Sequence, residues 1–108
     1  MARQFTFSLL FSAALAYALG GAFMKWSRGF TRPGASAAAL AFVLAGVAAH
    51  SVAMRYLSLG AAYLVVVGLE VAFALVLGRI FFAETYSFLK ALGLALIMAG
   101  VGVLYVAG

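Results

Sequence analysis

The chain has 108 residues, 69% of them hydrophobic and 8% charged, with a mean hydropathy of +1.23. Soluble globular chains carry about 45–50% apolar and about 25% charged residues, so this composition excludes a soluble domain and describes an integral membrane protein. The formal charge of +5 does not indicate nucleic acid, because the basic residues stand at the ends of apolar runs, where headgroups and topology account for them. Cysteine is absent, which excludes a disulfide or a thiolate-held metal.

Four apolar segments of spanning length are predicted in one domain covering residues 1–108. The first covers about residues 5–24. Arg3 and the triplet Ala16-Tyr17-Ala18 imitate a cleavable signal peptide. The apolar run continues to Met24, however, about 20 residues at 1.5 Å each, and so predicts a retained span. A basic loop follows, Lys25 to Gly34, with an interfacial tryptophan and the only proline. The second span, about residues 35–56, is rich in alanine and glycine. Ser58-Leu59-Gly60 is so short a connection that spans two and three are expected to be antiparallel neighbours. The third span covers about residues 61–83, and the fourth about 88–107 after the turn Glu84-Thr85-Tyr86-Ser87. Loops this short leave no room for a second domain.

Glu70 lies inside the third span. A charged, unpaired carboxylate at that depth costs roughly 2.5 kcal/mol or more, so an acid there marks a polar cavity or a function. The only other acid, Glu84, falls in a loop. His50, midway along the second span, is expected to make a hydrogen bond to a neighbouring helix or into a pore. With no second histidine and no carboxylate on its helix, it does not predict a metal site. Arg79 is nine residues after Glu70, about 180° round the helix, so the two are not expected to pair. Arg79 is read as snorkelling to the interface, and Lys90 as a headgroup contact. Gly93 and Gly100, with Ile97 between them, form a glycine groove on the fourth span suited to helix–helix association. No nucleophile–base pair, phosphate loop or metal-ligand cluster appears. Neither enzyme chemistry nor a cofactor is expected.

Three stretches resemble the small multidrug resistance family, across essentially the whole chain. They are Met24-Lys25-Trp26-Ser27-Arg28-Gly29-Phe30-Thr31-Arg32; Leu59-Gly60-Ala61-Ala62-Tyr63 followed by Gly68; and Gly93-Leu94-Ala95-Leu96-Ile97-Met98-Ala99-Gly100-Val101. The resemblance implies an all-α protein of four transmembrane helices per subunit, paired as an antiparallel dimer through the fourth. It also implies a substrate chamber between helices one to three, a bend in the third helix at Val67-Gly68-Leu69, and exchange of protons for a cation.

This chain departs from that pattern where it matters most. The family's first-helix glutamate is Tyr17 here, a group with an unperturbed pKa near 10 that cannot replace a carboxylate near neutrality. Val66 stands for the usual third-helix aromatic, and Ser58 for the proline before that helix. Tyr63, which matches a chamber-facing tyrosine, lies seven residues before Glu70 and within about 20° of the same helix face. Glu70 is therefore read as a relocated acid facing the chamber. Tyr17, from the facing helix or from the other subunit, is its expected direct contact, and Glu70, Tyr63, Tyr17 and His50 form the expected substrate- and proton-binding set.

Loss of the cation-holding features, together with an alanine- and glycine-rich lining, favours a bulky apolar or amphipathic, lipid-like substrate. That pattern is compatible with the family's hopanoid-associated subtype. A cation/proton antiporter using Glu70, or a non-transporting half of a heterodimer, are the alternatives. The expected setting is a bacterial inner membrane, multi-pass, with an antiparallel homodimer as the assembly. Arg3 and Arg55 flank one side of the spans, and Lys25, Arg28, Arg32, Arg79 and Lys90 the other. That is five against two, a bias toward one orientation that works against dual insertion.

Overall fold

The computed structural model describes residues 2–107; the side chains of Arg3, which enters the topology count, and of Tyr105 lie outside the described set. Four helices account for nearly all of it: α1 (Ala2–Trp26), α2 (Pro33–Ala53), α3 (Leu59–Phe82) and α4 (Phe88–Ala107). The first three are long and apolar enough to cross a membrane, and α4 carries a shorter apolar stretch, Phe88–Leu104.

The helix ends follow from local chemistry at the polar turns. Pro33 occupies the first turn of α2, where its missing N–H costs nothing. Ser58 caps α3 by accepting from the Ala61 N–H at 3.2 Å, and Ser87 does the same for α4 from the Lys90 N–H at 3.3 Å. Helix α2 stops at Ala53, three residues short of the sequence boundary, and residues 54–56 turn instead. Arg55 therefore sits in a connection. The α1–α2 loop turns through three successive left-handed residues, Arg28, Gly29 and Phe30, at φ of 51°, 72° and 65°. Buried Ser27 holds that turn, its hydroxyl donating to the Met24 carbonyl at 2.6 Å and accepting from the Phe30 N–H at 3.0 Å.

The packing order differs from the chain order. Helix α1 lies between α2 and α3 and touches both along its length, whereas α2 and α3 meet only briefly. The expected neighbourhood of spans two and three is thus confined to a short region that includes His50 and Tyr63. The reason is the small residues of α1, which let it seat deeply on both sides. Leu10, Ala13 and Ala14 are fully buried against Ala53 of α2 and Ala62, Val65 and Val66 of α3. Reciprocal notches complete the α1–α2 seam. A Cβ on Gly46 would stand 2.8 Å from the Tyr17 ring, and one on Gly20 2.9 Å from Val43.

Helix α4 packs on α3 alone. Its key is Val101, seated in the notch left by Gly68, with Ile97 beside it. Helix α3 is continuous through Val67-Gly68-Leu69. Within this subunit, Gly68 serves as a packing notch for α4.

Candidate functional site

Glu70 sits on the face of α3 turned toward α1 and lines two cavities that share it and Tyr17. The smaller, about 170 Å³, is bounded by all of the first three helices: Tyr17 from α1, His50 from α2, and Tyr63, Val66, Val67 and Glu70 from α3. The four residues expected from sequence to form the site therefore line one cavity. The larger, about 240 Å³, runs from Tyr17 and Glu70 along small residues, among them Ala18, Gly21, Ala22 and Ala74. Its far end is formed by Lys25 and Glu84, so both of the chain's acids line it.

Within one subunit, the polar contacts at the Glu70 end differ from the sequence expectation in one respect. The Tyr17 hydroxyl is turned to His50, 3.2 Å from Nδ1, rather than bonded to Glu70. His50 is buried, with 4% of its surface exposed, and its ring stands edge-on to Tyr63 at 4.9 Å. Its Nε2 has no hydrogen-bond partner among the described residues, although the Ala62 backbone is close to the ring. Among the described residues the one ion pair is Lys25–Glu84, so no cation neutralises Glu70. No cluster of three metal-binding side chains occurs among the described residues.

The other end of the larger cavity carries a contact that the sequence did not reveal. Ala83 adopts a left-handed conformation at φ 53°, and the Glu84 N–H returns to the Gly78 carbonyl at 3.2 Å, closing the end of α3. This folds the Glu84 side chain back over Gly78, where a Cβ would collide with its carboxylate and with the Tyr86 hydroxyl. Glu84 then accepts from Lys25 Nζ at 2.8 Å and from the Tyr86 hydroxyl at 2.9 Å. Those bonds, Lys25 first, hold the Glu84 carboxyl below its ordinary range, while burial and the Glu84 carboxylate push the Tyr86 phenol up. Lys25 also lies over the Phe82 ring at 4.7 Å, and Trp26 meets Phe81 edge-on and Phe82 at a tilt. The connection between α3 and α4 is thus latched onto the end of α1. A glycine one turn before a helix end, followed by a lone loop acid, was the available signal. The basic loop read as headgroup contacts obscured it.

The remaining expected positions lie on α4. Gly93 and Gly100 face open space, with nothing within 4 Å of a Cβ placed on either. Ile97 is 41% exposed and also reaches the Gly68 notch, so it belongs in part to the α3–α4 seam.

These features define a largely apolar cavity holding one acid and a few polar groups within a bundle of apolar helices. The pattern of the family described as "Small Multidrug Resistance protein" matches residues 5–97. Proteins named guanidinium exporter from Citrobacter freundii, Salmonella typhimurium and Klebsiella oxytoca are each 36% identical over 78 residues, covering 72% of this chain and 74% of theirs. The chain belongs to the small multidrug resistance family and is a multi-pass membrane transporter of that kind.

Proposed function

We propose that the protein is a proton-coupled exporter in which Glu70 alternately holds a proton and the cationic end of an amphipathic, lipid-like substrate. The observation that carries this reading is the position of Glu70 at the junction of both cavities, facing Tyr17. Exchange follows from the chemistry of one carboxylate. Protonated, it is neutral and releases a cation; deprotonated, it is a charge in a low-dielectric cavity that only a cation or a proton relieves. Ala18, Gly21, Ala22 and Ala74 offer the substrate body an apolar wall with few projecting side chains. Tyr17, held by His50, takes the space where the resemblance places the family's acid, so the exchange site lies one helix away.

A second reading, guanidinium as the substrate, rests on the names of the 36%-identical relatives. Guanidinium presents N–H donors all round and no apolar body, and the alanine–glycine wall would leave those donors unmet. Substrate chemistry therefore separates the two readings.

The assembly that fits this reading is an antiparallel homodimer joined along Gly93, Ile97 and Gly100, in a bacterial inner membrane. The open glycine faces of α4 support it, because small residues let helices approach closely in lipid. Reporters active on only one side of the membrane, fused to the C-terminus, test dual insertion. Signal from one reporter alone points to a fixed orientation and a different partner.

The deciding experiment uses purified protein in proteoliposomes. An amphipathic ammonium compound, added against a pH gradient, is expected to drive proton release by the wild type. Glu70→Gln is expected to abolish it while the protein remains folded and dimeric. Undiminished proton coupling in Glu70→Gln overturns the assignment. A response to guanidinium alone selects the second reading.

A further inference from the structure

A groove of about 310 Å³ runs beside the α3–α4 seam, away from both cavities above. Leu75, Val76, Ile80 and Leu94 supply its walls, and almost no polar surface lines it. Val76 and Ile80 are 54% and 65% exposed. In a bilayer such a surface is covered by hydrocarbon, from lipid or from a second protein.

Three polar-ended side chains gather at one end of the groove: Arg79, Tyr86 and Lys90. Arg79 lies three residues before the end of α3 and Lys90 two after the start of α4. At 1.5 Å per residue these are offsets of about 4.5 and about 3 Å, so both cations stand at one membrane level. Tyr86 sits between them. Lys90 Nζ is 5.1 Å from its ring centroid, and Arg79 is near enough for its charge to act on the phenol. Neither cation has an ion-pair partner among the described residues, since Glu84 is committed to Lys25.

An apolar slot with two unpaired cations at its interfacial end is complementary to an acyl chain bearing an anionic headgroup. A zwitterionic choline lipid would bring its own cation against Arg79 and Lys90. The proposed seam along Gly93, Ile97 and Gly100 lies beside this space, with Leu94 about 60° round the helix from Ile97. Leu94 is about 100° and Ala91, which also borders the groove, about 160° round the helix from Gly93. We propose that the groove binds one acyl chain of an anionic phospholipid, with the lipid phosphate held between Arg79 and Lys90.

The test is lipid retention, which needs no transport assay and so stands or falls apart from the Glu70 reading. The full-length protein is extracted from vesicles of equal parts phosphatidylglycerol and phosphatidylcholine, and the lipid retained after delipidation is counted by native mass spectrometry. Wild type is expected to enrich the glycerol lipid roughly thirtyfold, about 2 kcal/mol at 1.4 kcal/mol per tenfold, one share for each cation. R79Q combined with K90Q is expected to erase the enrichment. Should that pair fail to fold, each single variant is expected to lose about fivefold, one cation's share. Ala91→Trp, which fills the groove but keeps both charges, is expected to lose the bound lipid. Arg28→Gln, removing a loop cation far from the groove in sequence, is expected to leave the enrichment intact. No enrichment in wild type, equal loss in Arg28→Gln, or full retention in Ala91→Trp each overturns the proposal.

Discussion

Helices α1 and α4 are built from similar residues and end in opposite situations. Both are apolar, dotted with alanine and glycine and free of acids. Yet α1 buries Leu10, Ala13, Ala14, Ala18 and Ala22 between two neighbours, while no described residue of α4 is fully buried. The difference lies in whether a glycine notch has an occupant. Gly46 receives Tyr17 and Gly20 receives Val43, but Gly93, Gly100 and Gly102 receive nothing. Lipid tails are as apolar as leucine, so hydrophobicity does not choose which helix is covered; close packing does. The small-residue stripe of α4 is left uncovered within one subunit, and the proposed α4 seam rests on that surface.

Filling the notches probes this contrast most directly. Gly46→Leu drives a side chain into Tyr17 and the α1–α2 seam, and overpacking of this kind costs typically 1–3 kcal/mol. It is expected to give the largest loss of subunit stability, read as the SDS fraction needed to unfold the protein in mixed micelles. Gly68→Leu displaces Val101 and is expected to loosen α4 while α1–α3 hold. Protease access to the α3–α4 connection measures that, and equal loosening of α1 would break the comparison. Gly93→Leu with Gly100→Leu is expected to leave subunit stability unchanged within about 0.5 kcal/mol, as for surface positions. It is also expected to abolish inter-subunit cross-linking, and a folded, fully cross-linked variant would refute the α4 seam.

Tyr17→Phe removes one interhelical hydrogen bond while keeping the ring in the Gly46 notch. Such bonds in membranes are worth on average about 0.6 kcal/mol, so a small loss of stability is expected. The larger change should be in transport, because His50 then loses its described hydrogen-bond partner beside Glu70. An unchanged transport profile would reduce the pair to packing.

The smallest effect belongs to the latch at the far end of the cavity. Lys25 and Tyr86 hold the Glu84 carboxyl below its ordinary value of 4.5. A carboxyl lowered on folding contributes stability at pH values above that range and loses it as pH falls through the lowered value. The latch should therefore be closed at neutral pH and open as pH falls below the ordinary carboxylate range. Lys25→Gln should mimic the acid state at neutral pH, read as faster hydrogen exchange across residues 83–87. Both groups are exposed, so global stability should hardly move.

How much of this was legible in the sequence depends on whether a feature is local. The four helices were read to within three residues, because apolar length and the polar turns between the runs are local features. The α2 boundary was misplaced because nothing polar before Arg55 announces the stop at Ala53. Glu70 stood out because a lone acid in lipid carries a cost visible without any structure. Its shared helix face with Tyr63 followed from helical geometry alone.

The tertiary structure decided what those local rules leave open. The short α2–α3 connection suggested neighbours, yet α1 sits between them, because its small residues fit both helices more closely than α2 and α3 fit each other. Tyr17 bonds His50 rather than Glu70 because the Gly46 notch fixes where its ring lies. Glu84 reaches Lys25 from 59 residues away because the turn at Ala83 drops it over bare Gly78. Apart from the few polar side chains around Glu70, these helices are apolar on all sides, so hydropathy along the chain sets where each helix begins and ends. Which faces meet depends on shape complementarity among all four helices at once.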